Sequence, residues 1–430
     1  MSVRNVFVLG MNDFNRAKLE SLRGAESCKF HSLLKLEDIL DADEFPVREM
    51  LDTCVTTLRE FSGSVDAVVG YMDFPVSTLL PLIAREVGLP TVSFEALLKC
   101  EHKYWSRLEQ SRCIPEHVPR FALFDPFDEH ALEQIGLPFP FWIKPVKSAG
   151  SWLGFRIGDE QQFQSAVDTI QRELGRFADP FNHLLEYAEL PAEIAAGGGY
   201  ACLAEQIISG WQFTAEGYAQ KGEVHTYGIV DSIRAPNRRS FIRYQYPSRL
   251  PAHVRARAAD VIARLLPHID FDNAAFNVEF YWNRRSGRLW LLEVNTRIAQ
   301  HHADLFEKVD GVSNQQVMLD VSLGRTVEMP SRKGPFRCAA TFFLRHYRDA
   351  IVRRAPDQDT INRLQEEIPG AVIEPHVEEG TQLSRMVDQD SYSYIVALIY
   401  LGAENPTQLM RRYHYCLDQL AYELVDIDAA

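Results

Sequence analysis

Two acidic side chains stand inside apolar segments of the sequence, at residues 276–280 and 289–295, which a short turn joins. Because an unpaired carboxylate in apolar surroundings is costly, Glu279 and Glu293 require something cationic that faces them. In a hairpin the two acids can lie on one face as neighbours, where the amide oxygen of Asn295 adds a third oxygen ligand. This all-oxygen set suits Mg²⁺ rather than zinc. The alternative is a set of salt bridges to the arginines of the turn, which we expect to be solvated instead.

A basic residue and a histidine follow this acidic pair. Arg297 lies two residues beyond Asn295 and projects from the same face if the strand continues. An arginine beside metal-bound phosphates can stabilise charge that develops on a transferred phosphoryl group. Its structural alternative is an ion pair with one of the two acids, and the two roles are compatible. His301 is a candidate proton acceptor, and its alternative is a packing residue.

A lysine and a loop of small residues form the third candidate feature. An apolar strand predicted at 141–145 contains Lys144 and precedes the loop 148–151, whose sequence is Ser-Ala-Gly-Ser. Backbone N–H groups of such a loop can approach phosphate oxygens closely, and the lysine supplies a positive charge. The alternatives are an ordinary turn and a solvated lysine at a strand end. The interpretation as a phosphate site therefore depends on the neighbouring features.

Two further residues are candidates for ligand contacts. Glu205 interrupts an apolar strand predicted at 203–208, where a carboxylate and adjacent backbone groups can read the amino edge of adenine and a ribose hydroxyl. Its alternative is an edge-strand residue that points at water. The arginine-rich segment 234–243 ends in Arg243, which could hold a substrate carboxylate. The alternative for that segment is a solvated loop.

The elements that must position these residues begin with strands at 6–9 and 66–70 and a helix at 76–87. Strands that alternate with helices predict an open, mostly parallel sheet over about the first hundred residues. A charged helix at 95–110 and the prolines that follow it place a domain boundary near its start.

The last part of the chain returns to short strands at 338–344 and 392–400 and ends in a helix at 406–424. We therefore predict an α/β protein of three domains. These are an N-terminal α/β domain with an open parallel sheet at 1–95, a central domain at 96–325 and a C-terminal α+β domain at 326–430.

Composition narrows the class of partner. The 430 residues are 46% apolar and 24% charged, which is ordinary for a globular protein. The chain has 45 Lys and Arg against 59 Asp and Glu, a net charge of -14, so we expect small-molecule partners and no nucleic acid. Seven scattered cysteines without a CxxC pair and no run of membrane-spanning length predict a soluble cytoplasmic protein without a membrane partner.

The features, taken in order, resemble the signature of the ATP-grasp superfamily. The resemblance rests on Lys144 with its loop, the run 205–210, Glu279 and the run 293–297, and residues 88–103 resemble the connection into the grasp. It implies an ATP-grasp fold of two α+β subdomains for the central domain, with a lid subdomain at about 140–210, and a pre-grasp domain before it. It also implies ATP with Mg²⁺ as the cofactors, Mn²⁺ being the alternative metal.

The resemblance also implies a role for each matching position. Lys103 and Lys144 would hold the α- and β-phosphates; Ser148, Gly150 and Ser151 would close over the triphosphate; Glu205 and the backbone of Gln206, Ile207 and Ile208 would hold adenine; Gln212 would replace the usual ribose-binding Glu; Glu279, Glu293 and Asn295 would bind the metal; Arg297 would face the acyl phosphate.

Two segments bear on which ATP-grasp enzyme this chain resembles. The run 293–302 is similar to biotin carboxylase, but His301 stands where that enzyme has a glutamate base. The segment after Pro330 resembles the closing domains of biotin carboxylases and of L-amino acid ligases, and we favour the ligases. The expected activity is ATP-dependent amide formation between amino acids or similar acids through an acyl phosphate, with release of ADP and phosphate. His301 would be the base, and Arg243, Arg297 and His301 would contact substrate.

The alternatives are a carboxylase-like reaction, another acceptor that is not an amine, and a non-catalytic ATP-binding module. The arginine beside the acid pair argues against the last alternative, because a protein that only binds ATP does not need a cation at the reacting end. Dimers are common for this architecture, so a homodimer is an expected assembly.

Overall fold

The computed structural model describes residues 3–40, 44–148, 152–235, 240–386, 389 and 392–427. The strands are β1 (Arg4–Met11), β2 (Cys28–Lys35), β3 (Ala67–Val69), β4 (Phe121–Phe124), β5 (Phe141–Pro145), β6 (Phe155–Ile157), β7 (Cys202–Gln206), β8 (Trp211–Gln220), β9 (Glu223–Arg234), β10 (Phe241–Tyr246), β11 (Ala274–Trp282), β12 (Leu289–Asn295), β13 (Cys338–His346), β14 (Ala350–Arg354), β15 (Val372–Pro375), β16 (Tyr394–Ala403) and β17 (Glu423–Asp426). The α-helices are α1 (Asp13–Glu20), α2 (Leu36–Leu40), α3 (Val47–Glu60), α4 (Val76–Glu86), α5 (Phe94–Glu101), α6 (Lys103–Cys113), α7 (Ala131–Ile135), α8 (Glu160–Glu173), α9 (Gly175–Leu185), α10 (Ala192–Ala195), α11 (Ala252–His268), α12 (Ala303–Asp310), α13 (Asn314–Ser322), α14 (Gln358–Glu367) and α15 (Pro406–Leu420).

The N-terminal strands form a parallel sheet in the order β2-β1-β3, as the alternation of strands and helices predicts. The central strand β1 is apolar on both faces, because a parallel strand covered on both sides has no solvated face. Val6 and Val8 pack in one core cluster and Phe7 and Leu9 in another. The carboxyl ends of β1 and β3 therefore point to the same edge of the sheet.

The predicted helix at 95–110 is two helices, because the chain turns at His102. This residue has an extended backbone, with φ −80° and ψ 98°, and its ring Nδ1 accepts the N–H of Trp105 over 3.2 Å. A side chain that accepts an otherwise unpaired N–H at a helix start is an N-cap. The break makes Lys103 the first residue of α6.

A four-stranded antiparallel sheet in the order β4-β7-β5-β6 carries the predicted lid strands. Along β5, buried Phe141 and Ile143 alternate with half-buried Trp142 and Lys144. The apolar pair packs with residues of α8 in one cluster, so the lysine projects from the opposite face.

An eight-stranded sheet in the order β12-β11-β8-β9-β10-β13-β16-β15 continues across the domain boundary predicted at 326, through the antiparallel pair β10 and β13. The final helix ends at Leu420 rather than at 424. Ala421 takes a left-handed backbone, with φ 44°, and the chain then forms β17, which pairs with β14.

The mixture of a parallel sheet, antiparallel sheets and covering helices confirms the predicted α/β class. Within the part of the chain that the structure describes, no helix is both long enough and apolar enough to cross a bilayer. All seven cysteines are unpaired.

Candidate active site

The hairpin of β11 and β12 places the two predicted acids directly opposite each other. Its register pairs Glu279 with Glu293 and Asn277 with Asn295. The amide Nδ2 of Asn295 donates to Asn277 Oδ1 over 3.2 Å and to Glu279 Oε1 over 3.4 Å. The three predicted metal ligands therefore lie together at one end of the hairpin.

The two acids have opposite pKa shifts. Burial and the neighbouring Glu293 raise the pKa of Glu279. Burial also opposes ionisation of Glu293, but the charges of Lys103 and Lys144 outweigh it and hold the pKa of Glu293 below its ordinary value. Two carboxylates that repel each other with incomplete neutralisation fit a divalent cation bound through oxygen. Within the described ranges, no group of three or more His, Cys, Asp or Glu residues is placed to hold a metal ion.

Gln212 lies beside Glu279, one member of the acid pair that Glu279 and Glu293 form. Its Nε2 donates to Glu279 Oε2 over 2.9 Å, and its Oε1 accepts from Nε of Arg234 over 2.7 Å. The residue predicted to contact ribose thus connects a guanidinium to the carboxylate of Glu279. Sequence reasoning named the arginine-rich segment that begins at Arg234 but singled out only Arg243 from it.

The two predicted phosphate-binding lysines approach the same region from different elements, Lys103 from α6 and Lys144 from β5. Nζ of Lys103 donates to the backbone oxygen of Ser148 over 2.8 Å and lies 3.3 Å from Glu293 Oε1. Nζ of Lys144 lies 2.7 Å from Glu205 Oε2. The loop positions Gly150 and Ser151 fall outside the described residues.

Glu205 is held by two cations. Besides Lys144, its carboxylate accepts from Nε of Arg107 over 2.5 Å, and Arg107 also donates to the carbonyls of Leu291 and Leu292 over 3.1 and 2.9 Å. Burial opposes ionisation, but these two cations lower the pKa of Glu205 to about 2. The carboxylate therefore positions Lys144 directly, and it positions the strand β12 through Arg107.

The backbone predicted to hold adenine lies at the end of β7. Gln206 is the last residue of the strand, and its N–H donates to the carbonyl of Arg120 over 2.8 Å. Ile207 and Ile208 follow outside the strand, and the side chain of Ile207 is exposed. An adenine role for this segment stays a prediction.

We expect Glu205→Gln to lower the free energy of unfolding at neutral pH by about 3–5 kcal/mol, because it leaves two buried cations without their shared anion. Because the folded pKa is lowered, the wild type has this stabilisation above the ordinary carboxyl pKa and loses it as pH falls toward about 2. Denaturant unfolding of both proteins between neutral and acid pH would test this. A constant difference across that range would contradict the expectation.

Arg297 pairs with a residue that sequence reasoning missed. β12 ends at Asn295, so the strand does not continue, and the guanidinium turns to Asp73. Nε lies 2.9 Å from Asp73 Oδ1 and Nη2 lies 2.7 Å from Oδ2. Asp73 follows β3 at the carboxyl edge of the parallel sheet, the edge at which open α/β sheets bind ligands. The position of Asp73 just after a strand of the predicted parallel sheet was the sequence signal that could have identified it.

His301 lies close to Arg297 in the sequence but has apolar ring neighbours. Its ring centroid is 5.5 Å from that of Phe343, and its backbone carbonyl accepts from Thr341 Oγ1 over 2.9 Å. Burial, followed by the charges of neighbouring histidines, lowers the pKa of His301 to about 4. The imidazole is therefore neutral at neutral pH, which leaves it able to accept a proton.

A buried carboxylate behind the hairpin was also missed. Glu216 on β8 has 0% exposed surface, and its oxygens accept from Asn277 over 3.1 Å, from Tyr227 over 3.0 Å and from Asn314 over 3.3 Å. Nδ1 of His302 lies 2.7 Å from the same carboxylate. Glu216 therefore ties the hairpin to the segment that follows Arg297.

Arg243 is not brought to the site. On β10 its neighbours alternate faces, and Tyr244 contacts the rings of the histidine pair 301–302. Arg243 faces the other way, with Nη1 against Met410 Sδ of α15 and its guanidinium 5.6 Å from the Phe342 ring. Strand alternation separates it from Arg297, so it is not included in the proposed substrate site.

Comparisons with known proteins concern the fold that carries these residues. Residues 137–303 match the family described as "ATP-grasp domain", so the chain carries an ATP-grasp domain. A search of curated proteins finds no match to the sequence.

Several solved structures share the fold over almost the whole chain. An L-amino acid ligase from Bacillus licheniformis has a TM-score of 0.72 and 15% identity, with 100% of each chain covered. A carboxyaminoimidazole ribonucleotide synthase from Aspergillus clavatus complexed with ATP has a TM-score of 0.68 and 15% identity, covering 97% of this chain and 98% of that one. A biotin carboxylase from Campylobacter jejuni has a TM-score of 0.63 and 13% identity, covering 99% and 93%.

Proposed function

We propose that this chain, as the bearer of an ATP-grasp domain, is an ADP-forming ligase that joins a carboxylate to an amine through an acyl phosphate. The observation that carries the proposal is the meeting of Lys103, Lys144 and Arg297 around the acid pair of the β11–β12 hairpin. Cations that surround a site for a metal and phosphate are what phosphoryl transfer requires, since its catalysis is mostly positioning and charge neutralisation.

The proposed reaction has two steps. A carboxylate oxygen of the acid attacks the γ-phosphorus of ATP, the bond to the β–γ bridging oxygen breaks, and ADP leaves. The amine nitrogen then attacks the acyl carbon, the bond to the phosphate oxygen breaks, and phosphate leaves. Mg²⁺, or Mn²⁺ in its place, would neutralise phosphate charge when bound by Glu279, Glu293 and Asn295.

Each basic residue has a part in these steps. Lys103 and Lys144 would bind phosphate oxygens, and Arg297 would orient the acid and stabilise the charge of the acyl phosphate. The amine loses a proton as it attacks, and neutral His301 is the candidate acceptor. The fold shared with an L-amino acid ligase supports amino acids or similar acids as the substrates.

For His301 we expect the His301→Gln variant to form product about 10²-fold more slowly, at the lower end of the range for general bases, because a low pKa makes a weak base. The ratio of wild-type to variant rates should stay constant between pH 6 and 8, because the imidazole is already neutral there. His346→Gln, whose ring instead pairs with Asp426 in the C-terminal part, is the control. A ratio that rises with pH across the ordinary histidine pKa would contradict the assignment.

The proposal is tested by phosphate release from ATP and Mg²⁺ across an array of amino acids, singly and in pairs, with mass spectrometry on the active mixtures. We expect release that needs two amino acids and gives a condensed product mass. Release with bicarbonate alone would move the assignment to a carboxylase. A stoichiometric ATP complex without ADP formation would indicate a non-catalytic binding module.

A further inference from the structure

The ion pair of Asp73 and Arg297 joins the edge of the N-terminal sheet to the end of β12. Its two contacts, at 2.9 and 2.7 Å, run in parallel between a carboxylate and one edge of the guanidinium. The side chain of Asp73 is 47% exposed and that of Arg297 is 16% exposed. The acid therefore forms the solvent side of the pair, and the arginine forms the inner side.

Opening this pair requires that both charges be compensated. The contact is bidentate and the guanidinium is largely buried, so separating the two side chains without a substitute would leave a poorly solvated charge. Arg297 keeps one further contact, from Nη1 to the carbonyl of Ile298 over 3.2 Å, which holds the guanidinium in place when the acid moves. A ligand that offers both charges could thus replace each partner without leaving either residue unpaired.

The charges around Asp73 and Arg297 restrict which ligand can replace their ion pair. Glu279 and Glu216 already place two carboxylates near Arg297, and the charge of Asp73 reaches Glu293 as well. An acid that carries only a carboxylate would separate Asp73 from its cation and add another negative charge. An acid that also carries an ammonium group would supply the missing cation.

We propose that Asp73 binds the ammonium group of the acid to be activated while Arg297 binds its carboxylate, so that the site selects an amino-acid zwitterion over the same acid without the amino group. This inference rests on the proposed ligase function. Asp73 is then a specificity-determining residue, and the ion pair of the ligand-free site is the arrangement that the zwitterion replaces.

The competing explanation is that the pair only ties two domains together. A second pair offers the matched control, since Nζ of Lys18 on α1 lies 2.9 Å from Glu307 Oε2 on α12, with side chains 25% and 47% exposed. It also connects the N-terminal domain to the central part of the chain, but away from the acid pair. Glu307→Gln therefore removes a comparable ion pair and leaves the residues of the site unchanged.

The test compares Asp73→Asn, Glu307→Gln and the wild type. The measurement is kcat/KM for ATP-dependent phosphate release with alanine, serine and methionine, and with the matching acids that lack the amino group. We expect Asp73→Asn to lower kcat/KM for the amino acids about 10- to 100-fold, the usual effect of losing a hydrogen bond to a charged group. For Asp73→Asn, kcat/KM with the acids that lack the amino group should be unchanged or higher. The KM for ATP should be unchanged.

Other outcomes overturn the inference. Equal losses for both kinds of acid in Asp73→Asn, or the same losses in Glu307→Gln, would make the pair a structural tie. A wild type that prefers the deaminated acids would also reject it while leaving the ligase proposal intact.

Failure of the ligase proposal can be distinguished from failure of the inference about Asp73. If no acid releases phosphate, that proposal fails, and thermal shifts with a non-hydrolysable ATP analogue and the same acids decide the inference. Stabilisation by amino acids that disappears in Asp73→Asn would support the binding role. No stabilisation by amino acids in the wild type would overturn it.

Discussion

Replacing Arg297 with alanine is expected to abolish product formation while ATP binding persists. In the proposed mechanism Arg297 is the cation at the reacting end of the site, and cations in this position typically contribute about 10³–10⁵-fold to phosphoryl transfer. The two lysines proposed to bind phosphate are on other elements, so the affinity for ATP should change little. Phosphate release and equilibrium binding of ATP, measured on the same preparations, check both parts.

Two further variants make this result specific. Arg297→Lys keeps the charge but loses the two parallel contacts with Asp73, and we expect it to recover only part of the activity. Arg4→Ala breaks an ion pair of 2.7 Å between Arg4 on β1 and Asp66, which precedes β3, and should leave turnover unchanged. Retained turnover in Arg297→Ala would show that the arginine has no catalytic part.

Replacing Glu279 with glutamine is expected to lower activity about 10²- to 10³-fold and to stabilise the metal-free protein. The loss follows from removing one of the two proposed carboxylate ligands, because the remaining acid and amide would neutralise less of the metal charge. The gain in stability follows from the raised pKa of Glu279, since an acid with a raised folded-state pKa destabilises the fold when it is ionised above its ordinary pKa.

The measurements are a Mg²⁺ titration of phosphate release and thermal unfolding at neutral pH in the presence of a chelator. Glu423→Gln on β17, which removes a strand glutamate 3.7 Å from Arg354, is the control and should change neither. An unchanged Mg²⁺ dependence in Glu279→Gln would exclude this residue as a metal ligand. Lower metal-free stability would show that the acids do not repel each other in the folded state.

Local patterns determined a large part of this fold. The apolar strands with their turn predicted the β11–β12 hairpin, and its register places Glu279 opposite Glu293. The alternation of strands and helices predicted the parallel N-terminal sheet. These features could be predicted because strand alternation and turn length act over a few residues, so the sequence displays them directly.

The errors along the chain also have local causes that periodicity does not show. A continuous polar and apolar pattern predicted one helix at 95–110, but the ring of His102 caps the next helix and breaks the pattern. The last helix was predicted four residues too long, because the left-handed backbone at Ala421 ends it. Such caps compete with helix formation through single hydrogen bonds, which composition does not reveal.

The sequence by itself determined which residues carry charge and which of them share a strand, whereas only the tertiary structure decided how those charges are paired. Arg297 meets Asp73 across 224 positions, and Glu205 meets Arg107 across 98. The same packing turned Arg243 away from the site and placed Glu216 behind the hairpin. The physical reason is that a buried charge requires a partner, while the identity of that partner depends on which distant segments the fold brings within hydrogen-bond distance.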